Sequence, residues 1–77
     1  MMKTYIATFE STHHVLTAEK KLKPYLEDIT TIPTPEELSV NCGISLQIKS
    51  GFDYKRIKSL FSETRLKYDK LIESSPS

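Results

Sequence analysis

The sequence predicts an α+β domain of the ferredoxin-like class: a βαββαβ sandwich in which two helices cover one face of a four-stranded antiparallel sheet. Two observations carry this prediction. Changes in apolar spacing along the chain give the order strand, helix, strand, strand, helix, strand, and 77 residues suit one domain. A chain this short buries only about 60–65% of its unfolded surface, which leaves no room for a deep active-site cavity. We expect residues 1–73 to form the domain and residues 74–77 a disordered tail.

The first strand and helix are predicted from the residues near the amino terminus. Residues 3–9 mix β-branched and aromatic side chains over a strand's length, and either Ser11 or Thr12 can cap the helix that follows. Pro24 ends or kinks that helix. Its apolar stripe recurs at three- and four-residue spacing and comprises Val15, Ala18 and Leu22, with Tyr25 or Leu26 beyond.

A short β-branched run and a helix-cap signature follow. Residues 29–32 are predicted to form an edge strand, because Pro33 comes directly after them. Residues 34–37, Thr-Pro-Glu-Glu, form the pattern of a capping box, with a Thr cap, Pro at the first helical position and Glu three residues after the cap. We expect one short helical turn there, with Thr34 as its cap.

The second half of the chain repeats the alternation of strand and helix. Ile44, Leu46 and Ile48 alternate with Ser45, Gln47 and Lys49, which predicts a strand with one covered and one wet face. Asp53 is predicted to cap a second helix. The apolar stripe of that helix comprises Tyr54, Ile57, Leu60 and Phe61. Residues 66–72 are predicted to form the last strand, and residues 73–77 are polar, with nothing to bury.

Composition excludes several classes of function. Eleven Lys and Arg nearly balance ten Asp and Glu, which argues against a nucleic-acid binder driven by phosphate neutralisation. The third strand also lacks the aromatic residues on which RNA-binding domains of this fold stack bases. No apolar run approaches the length of about 20 residues of a membrane span, and residues 1–10 do not resemble a signal peptide. A single cysteine forms no internal disulfide, so we expect a cytoplasmic protein.

Cys42 is the strongest candidate for chemistry. Strand directions in the predicted fold bring residues 10–14 and 33–43 to one end of the sheet. A lone cysteine is most often a small buried apolar residue; alternatively, Cys42 is a partly exposed thiol whose anion the first helix stabilises through its amino terminus. Gly43 allows unusual dihedral angles or a close backbone approach. The predicted environment of the thiol comprises Glu10, Ser11, Thr12, His13, His14, Thr34 and Gly43.

Two adjacent histidines, His13 and His14, fall in the first turn of that helix. Their side chains diverge by roughly 100°, so they cannot easily share one metal ion. Each is most simply a solvated or half-packed residue, and either could instead be a base or hydrogen-bond partner for Cys42. The sequence has no Cys-x-x-Cys and no His-x-x-x-His, so we expect no zinc or copper site and no cofactor.

Two stretches resemble a known family: residues 9–14, Phe-Glu-Ser-Thr-His-His, and residues 32–39, Ile-Pro-Thr-Pro-Glu-Glu-Leu-Ser, running on to Cys42-Gly43. Together they resemble the small bacterial proteins of the DUF3343 family of selenium/sulfur carrier-like proteins, over most of the chain. Asn41 replaces the small or acidic residue that the family pattern favours before the cysteine. The resemblance places a Cys-Gly pair at Cys42 and Gly43 and implies a carrier thiol.

The sequence leaves two hypotheses for the function. In the first, the Cys42 thiolate accepts a sulfur or selenium atom from a donor protein such as a cysteine desulfurase and passes it on, as a carrier without turnover of its own. In the second, Cys42 is structural and the domain is a non-catalytic interaction or regulatory module, whose open sheet face pairs with a second subunit, as in a homodimer, or binds a small ligand. The residues expected on that face are Ser45 and Gln47, with Thr4, Ile6 and Thr8 beside them.

Overall fold

The computed structural model describes residues 2–36, 38 and 43–74. It contains six elements, in the order β1 (Lys3–Thr8), α1 (Thr12–Leu22), β2 (Asp28–Pro33), β3 (Ile44–Ser50), α2 (Tyr54–Glu63) and β4 (Lys70–Glu73). This βαββαβ order, with one four-stranded sheet, confirms the predicted ferredoxin-like fold. Neither helix in the described part of the chain is long and apolar enough to cross a membrane.

The four strands lie in the order β2-β3-β1-β4, and every neighbouring pair is antiparallel. β1 pairs with β3 from Lys3 opposite Ser50 to Ala7 opposite Leu46. β2 is an edge strand, as predicted, and ends at Pro33, whose missing N–H is tolerated at an edge. The ends of β1 and β2 and the starts of β3 and β4 therefore share one end of the sheet, which we call the upper end.

The core lies between one face of the sheet and the two helices. Tyr5, Ala7, Leu46 and Ile48 face the helices, and each is fully buried. Both predicted helix stripes are largely confirmed. Of the two alternatives at the end of the first stripe, Leu26 is buried and Tyr25 is 57% exposed; in the second stripe Tyr54 is the exception, with 38% of its surface exposed. The buried helical residues are Val15, Ala18 and Leu22 in α1, and Ile57, Leu60 and Phe61 in α2.

Both helices begin at the predicted caps. The Ser11 hydroxyl accepts a hydrogen bond from the His14 N–H, which selects Ser11 over Thr12 as the cap of α1. The Asp53 carboxylate accepts a hydrogen bond of 2.8 Å from the Arg56 N–H and caps α2. α1 ends at Leu22, two residues before Pro24, as predicted.

The predicted wet face of β3 is wrong at Ser45, which is fully buried. Ser45 does lie on the sheet face away from the helices, because its parity is opposite to that of Leu46. It lies on an interior strand, directly opposite Ile32 of β2, and its hydroxyl contacts the Thr34 hydroxyl. Period-2 alternation therefore assigned the correct face but not the exposure. Gln47 is half-buried, whereas Lys49 is exposed as predicted.

The last strand begins at Lys70, four residues later than predicted, because the end of α2 uses the intervening chain. Arg65 has a positive φ of 56°, the left-handed conformation of a helix C′ residue. The N–H groups of Arg65 and Leu66 then donate to the carbonyls of Ser62 and Phe61, which is a Schellman motif. Leu66 packs against the core, so its apolar character reflects a helix stop and not a strand.

The chain keeps contact with the sheet for one residue beyond β4. The Ser74 N–H donates a 2.8 Å hydrogen bond to the Thr4 carbonyl, which continues the pairing of β4 with β1. Ser74 is therefore held to the sheet, and Glu73 belongs to β4. The remaining tail, residues 75–77, lies outside the described residues.

Candidate functional site

The upper end of the sheet carries most of the predicted site residues. Cys42 itself lies outside the described residues, so its predicted position near the start of α1 stays a prediction. Its chain neighbour Gly43 is exposed, and the Gly43 carbonyl accepts a 3.0 Å hydrogen bond from the Thr34 N–H. This bond extends the β2–β3 ladder beyond Pro33 and Ile44 and anchors both ends of the connection between these strands.

The sheet register relates Gly43 to the start of α1. The β1–β3 pairing has its last pair at Ala7 and Leu46. β1 ends at Thr8 and β3 starts at Ile44, so Glu10, two residues after β1, and Gly43, directly before β3, both lie beyond this end of the sheet. Glu10 is exposed, and Ser11, the cap of α1, follows it directly. The described members of the predicted thiol environment therefore gather at the upper end of the sheet.

The Thr34 hydroxyl makes a contact that the sequence did not predict, and its predicted role as a helix cap stays a prediction. Its hydroxyl forms a 2.7 Å hydrogen bond with the Ser45 hydroxyl, on the face of the sheet away from the helices. The Leu38 N–H donates to the Pro35 carbonyl at 3.0 Å, which closes a single turn after Thr34. Glu37, the predicted partner in the capping box, lies outside the described residues. Thr34 thus ties the start of this turn to β3.

Gly43 was expected to allow unusual dihedral angles or a close backbone approach, and the structure shows neither in the described residues. No described glycine has a positive φ, and a Cβ built at Gly43 meets no atom of the described residues within 4 Å. Neither a left-handed backbone nor a close approach therefore requires glycine here. The space around Gly43 is open because β3 begins beyond it, at the rim of the sheet.

Of the two histidines, His14 is half-buried and contacts the Ser11 hydroxyl through its ring, whereas His13 is exposed. The Nδ1 atom of His14 lies 2.7 Å from the Ser11 hydroxyl oxygen, while the same oxygen accepts from the His14 N–H at 3.4 Å. If the Ser11 hydroxyl donates to Nδ1 while accepting from the His14 N–H, the neutral ring carries its proton on Nε2. His13 and His14 lie edge to face, with ring centroids 6.1 Å apart. Among the described residues, no three potential ligands are placed to hold a metal ion.

A small cavity at the upper end was missed in the sequence. It has a volume of about 140 Å³ and is lined by Glu10 and His14 from the start of α1 and by Lys67, Tyr68 and Asp69 from the chain leading into β4. More than fifty residues separate the two segments, so no local motif connects them. The fold topology was the available signal, because the end of β1 and the start of β4 share one end of the sheet.

Comparison with known proteins identifies a family. No curated protein and no solved structure matches the chain. A family model described as "Putative Se/S carrier protein-like" matches residues 4–73. The match spans nearly the whole domain, from β1 to the last residue of β4, and confirms the resemblance found in residues 9–14 and 32–43. The chain therefore belongs to the Se/S carrier protein-like family.

Proposed function

We propose that the protein carries one sulfur or selenium atom on Cys42, as a persulfide or a perselenide. One observation carries the proposal: the chain belongs to a family described as Se/S carrier-like, and it has a single cysteine. Covalent transfer of a chalcogen requires a soft nucleophile, and the thiolate is the side chain that supplies one. No second cysteine can resolve the loaded thiol as an internal disulfide, so the cargo is released to an external acceptor.

The transfer step balances without an external oxidant. The Cys42 thiolate attacks the terminal sulfur of a donor persulfide, a new S–S bond forms, and the donor's own S–S bond breaks. The donor leaves as a thiolate, and Cys42 holds the terminal sulfur as a persulfide. An acceptor thiolate reverses these roles in the unloading step. A protein carrying a cysteine persulfide, such as a cysteine desulfurase, is the proposed donor.

Three features of the upper end support this proposal. Gly43 is exposed and has open space around its Cα, so the chain next to Cys42 is accessible to a donor protein. The amino terminus of α1 is at the same end of the sheet, and a helix dipole favours negative charge there. The first turn of α1 contains no acidic residue, and the one carboxylate beside it, Glu10, precedes the Ser11 cap and is exposed to solvent.

Thiol reactivity provides the first test. The Cys42 thiol of the native protein should react with an alkylating reagent at a midpoint pH below that of an unfolded control, because the thiolate is the reacting species. A thiol with its free pKa of about 8.5 is roughly 3% ionised at pH 7, and lowering the pKa by one unit raises the ionised fraction to roughly a quarter. Reaction only after unfolding would contradict the carrier function.

Loading provides the second test. After incubation with a cysteine desulfurase and cysteine, intact-protein mass spectrometry should show the added mass of one sulfur atom, removable by a reducing agent. Cys42→Ser is the matched control and should gain nothing. A native thiol that alkylates readily yet never retains sulfur or selenium would argue against the carrier and for a different use of Cys42.

The alternative hypothesis, an interaction module that uses the open sheet face, is weakened by burial. Ile6, Thr8 and Ser45 were expected to contact a partner there, but Ile6 is 7% exposed and the two hydroxyl residues are fully buried. A partner would therefore meet the remaining half-buried side chains, Thr4 and Gln47. The structure thus offers this alternative a smaller surface than the sequence predicted.

A further inference from the structure

The small cavity between the start of α1 and the chain leading into β4 has features of a binding site. Two of its walls are held in place: Ser11 fixes the His14 ring through the 2.7 Å contact, and Tyr68 packs edge-on against the buried Phe61, with ring centroids 5.1 Å apart. The 2.7 Å hydrogen bond from the Asp69 N–H to the Thr8 carbonyl anchors the backbone of the third lining residue, Asp69, to β1. The cavity is therefore preformed in the folded chain.

The charged side chains around the cavity do not neutralise each other. Glu10 and Asp69 supply carboxylates and Lys67 supplies an ammonium group. None of the three forms an ion pair or a side-chain hydrogen bond with any residue that the structure describes. The two carboxylates and the ammonium group therefore line the same cavity without forming ion pairs with one another.

Size limits the ligand. The volume of about 140 Å³ corresponds to four or five water molecules at about 30 Å³ each. It lies below the range of about 300–1,000 Å³ that is usual for drug-sized ligands and cofactors. A nucleotide or a folded peptide segment is too large, whereas a molecule of roughly six or seven heavy atoms fits.

Charge limits the ligand further. Two carboxylates and one ammonium group give the lining a net charge of −1 if His14 is neutral and zero if His14 is protonated. The lining is never net positive, which disfavours a simple anion. Lys67 disfavours a metal cation, and the described residues hold no group of three metal ligands. A ligand with one positive and one negative group satisfies both kinds of side chain.

We propose that this cavity binds a small α-amino acid in its zwitterionic form. The ligand carboxylate faces Lys67 and the His14 Nε2–H, and the ligand ammonium group faces Glu10 and Asp69. This site goes beyond the proposed carrier function and does not depend on Cys42. The charged lining residues are solvent-exposed, so binding is weak, in the millimolar range.

The test is a titration of the ¹⁵N-labelled wild-type protein with L-alanine, followed by amide chemical shifts. The amides of His14 and residues 67–69 should shift saturably. Propionate, which lacks the ammonium group, and ethylamine, which lacks the carboxylate, should each bind at least about tenfold more weakly, because each loses one charge-assisted contact. Saturation by propionate at the same concentration as L-alanine would overturn the proposal in favour of an anion site.

Variants separate a specific site from general charge effects. Lys67→Met and Glu10→Gln should each raise the dissociation constant for L-alanine about fivefold or more. Lys20→Met removes an exposed ammonium group elsewhere on α1 and should leave the dissociation constant for L-alanine unchanged. An equal effect of Lys20→Met, or no saturable shift up to about 50 mM L-alanine, would show that the cavity is not an amino-acid site. Cys42→Ser should bind as wild type, so failure of the carrier function would leave this result intact.

Discussion

The two faces of the sheet are buried in different ways. The face under the helices is apolar, with Tyr5, Ala7, Leu46 and Ile48 at its centre, and its burial is due to two amphipathic helices. On the opposite face, Thr8 and Ser45 are equally buried, but each hydroxyl has a hydrogen-bond partner. Side chains on the first face are therefore held by packing, and hydroxyls on the second by specific hydrogen bonds. This difference predicts different costs for substitutions that look similar.

The largest expected effect is on the helix-covered face. Leu46→Ala should lower the free energy of unfolding by about 2–5 kcal/mol, because Leu46 is fully buried and its loss leaves a cavity. Gln47→Ala is the matched control, since Gln47 is the next residue of β3, points to the other face and is half-buried. Urea melts measure both. Equal losses for the two variants would mean that the faces do not differ in packing.

On the open face, the hydroxyl pair should contribute a smaller amount. Ser45→Ala and Thr34→Ala should each destabilise the protein by about 1–2 kcal/mol, because each removes the 2.7 Å hydrogen bond of the fully buried Ser45 hydroxyl to the half-buried Thr34. The double variant should cost less than the sum of the two single variants, by a coupling energy of about 0.5–1.5 kcal/mol. Additive losses in urea melts would show that the two hydroxyls do not stabilise each other.

One hydroxyl borders the apolar core on the helix-covered face. The Tyr5 hydroxyl donates a 2.7 Å hydrogen bond to the Phe52 carbonyl, and Tyr5→Phe should cost about 0.5–1.5 kcal/mol. Burial, and then the carboxylates of Glu73 and Asp53, raise the pKa of Tyr5. A raised pKa means that the unfolded state loses this proton first. The contribution of Tyr5 is therefore complete below about pH 10 and declines above it.

Urea melts between about pH 8 and pH 11 test this sign. The stability difference between the wild type and Tyr5→Phe should shrink as pH rises through this interval. Tyr25→Phe, at an exposed tyrosine, is the matched control and should have little effect on stability. A difference that grows with pH would mean that the Tyr5 hydroxyl is not buried as described.

The smallest expected effect is at Gly43, where the ladder that includes Ser45 reaches the rim of the sheet. Gly43→Ala should leave stability unchanged or raise it by about 0.4–1 kcal/mol, because the backbone is not left-handed and the added methyl group meets open space. Thermal melts measure this change. Clear destabilisation would contradict the described backbone at Gly43. If the variant is stable but its Cys42 thiol is alkylated more slowly, the glycine serves to keep the thiol accessible to a donor protein.

Local sequence patterns were sufficient for the order of elements. The apolar stripes of α1 and α2 and the cap at Asp53 follow from spacing within one or two turns, and Pro33 predicted the edge position of β2. The family resemblance was also carried by short contiguous stretches. Each of these signals depends on residues close together in the chain, so no knowledge of the folded contacts was required.

Only the tertiary structure decided what depends on distant residues. Ser45 is buried because β3 lies between β2 and β1, and a strand's own alternation contains no information about its neighbours. The start of β4 was displaced by a helix stop at Arg65, whose left-handed backbone is unusual for a residue with a side chain. The cavity that joins Glu10 and His14 to residues 67–69 exists because β1 pairs with β4, a contact between the two ends of the chain.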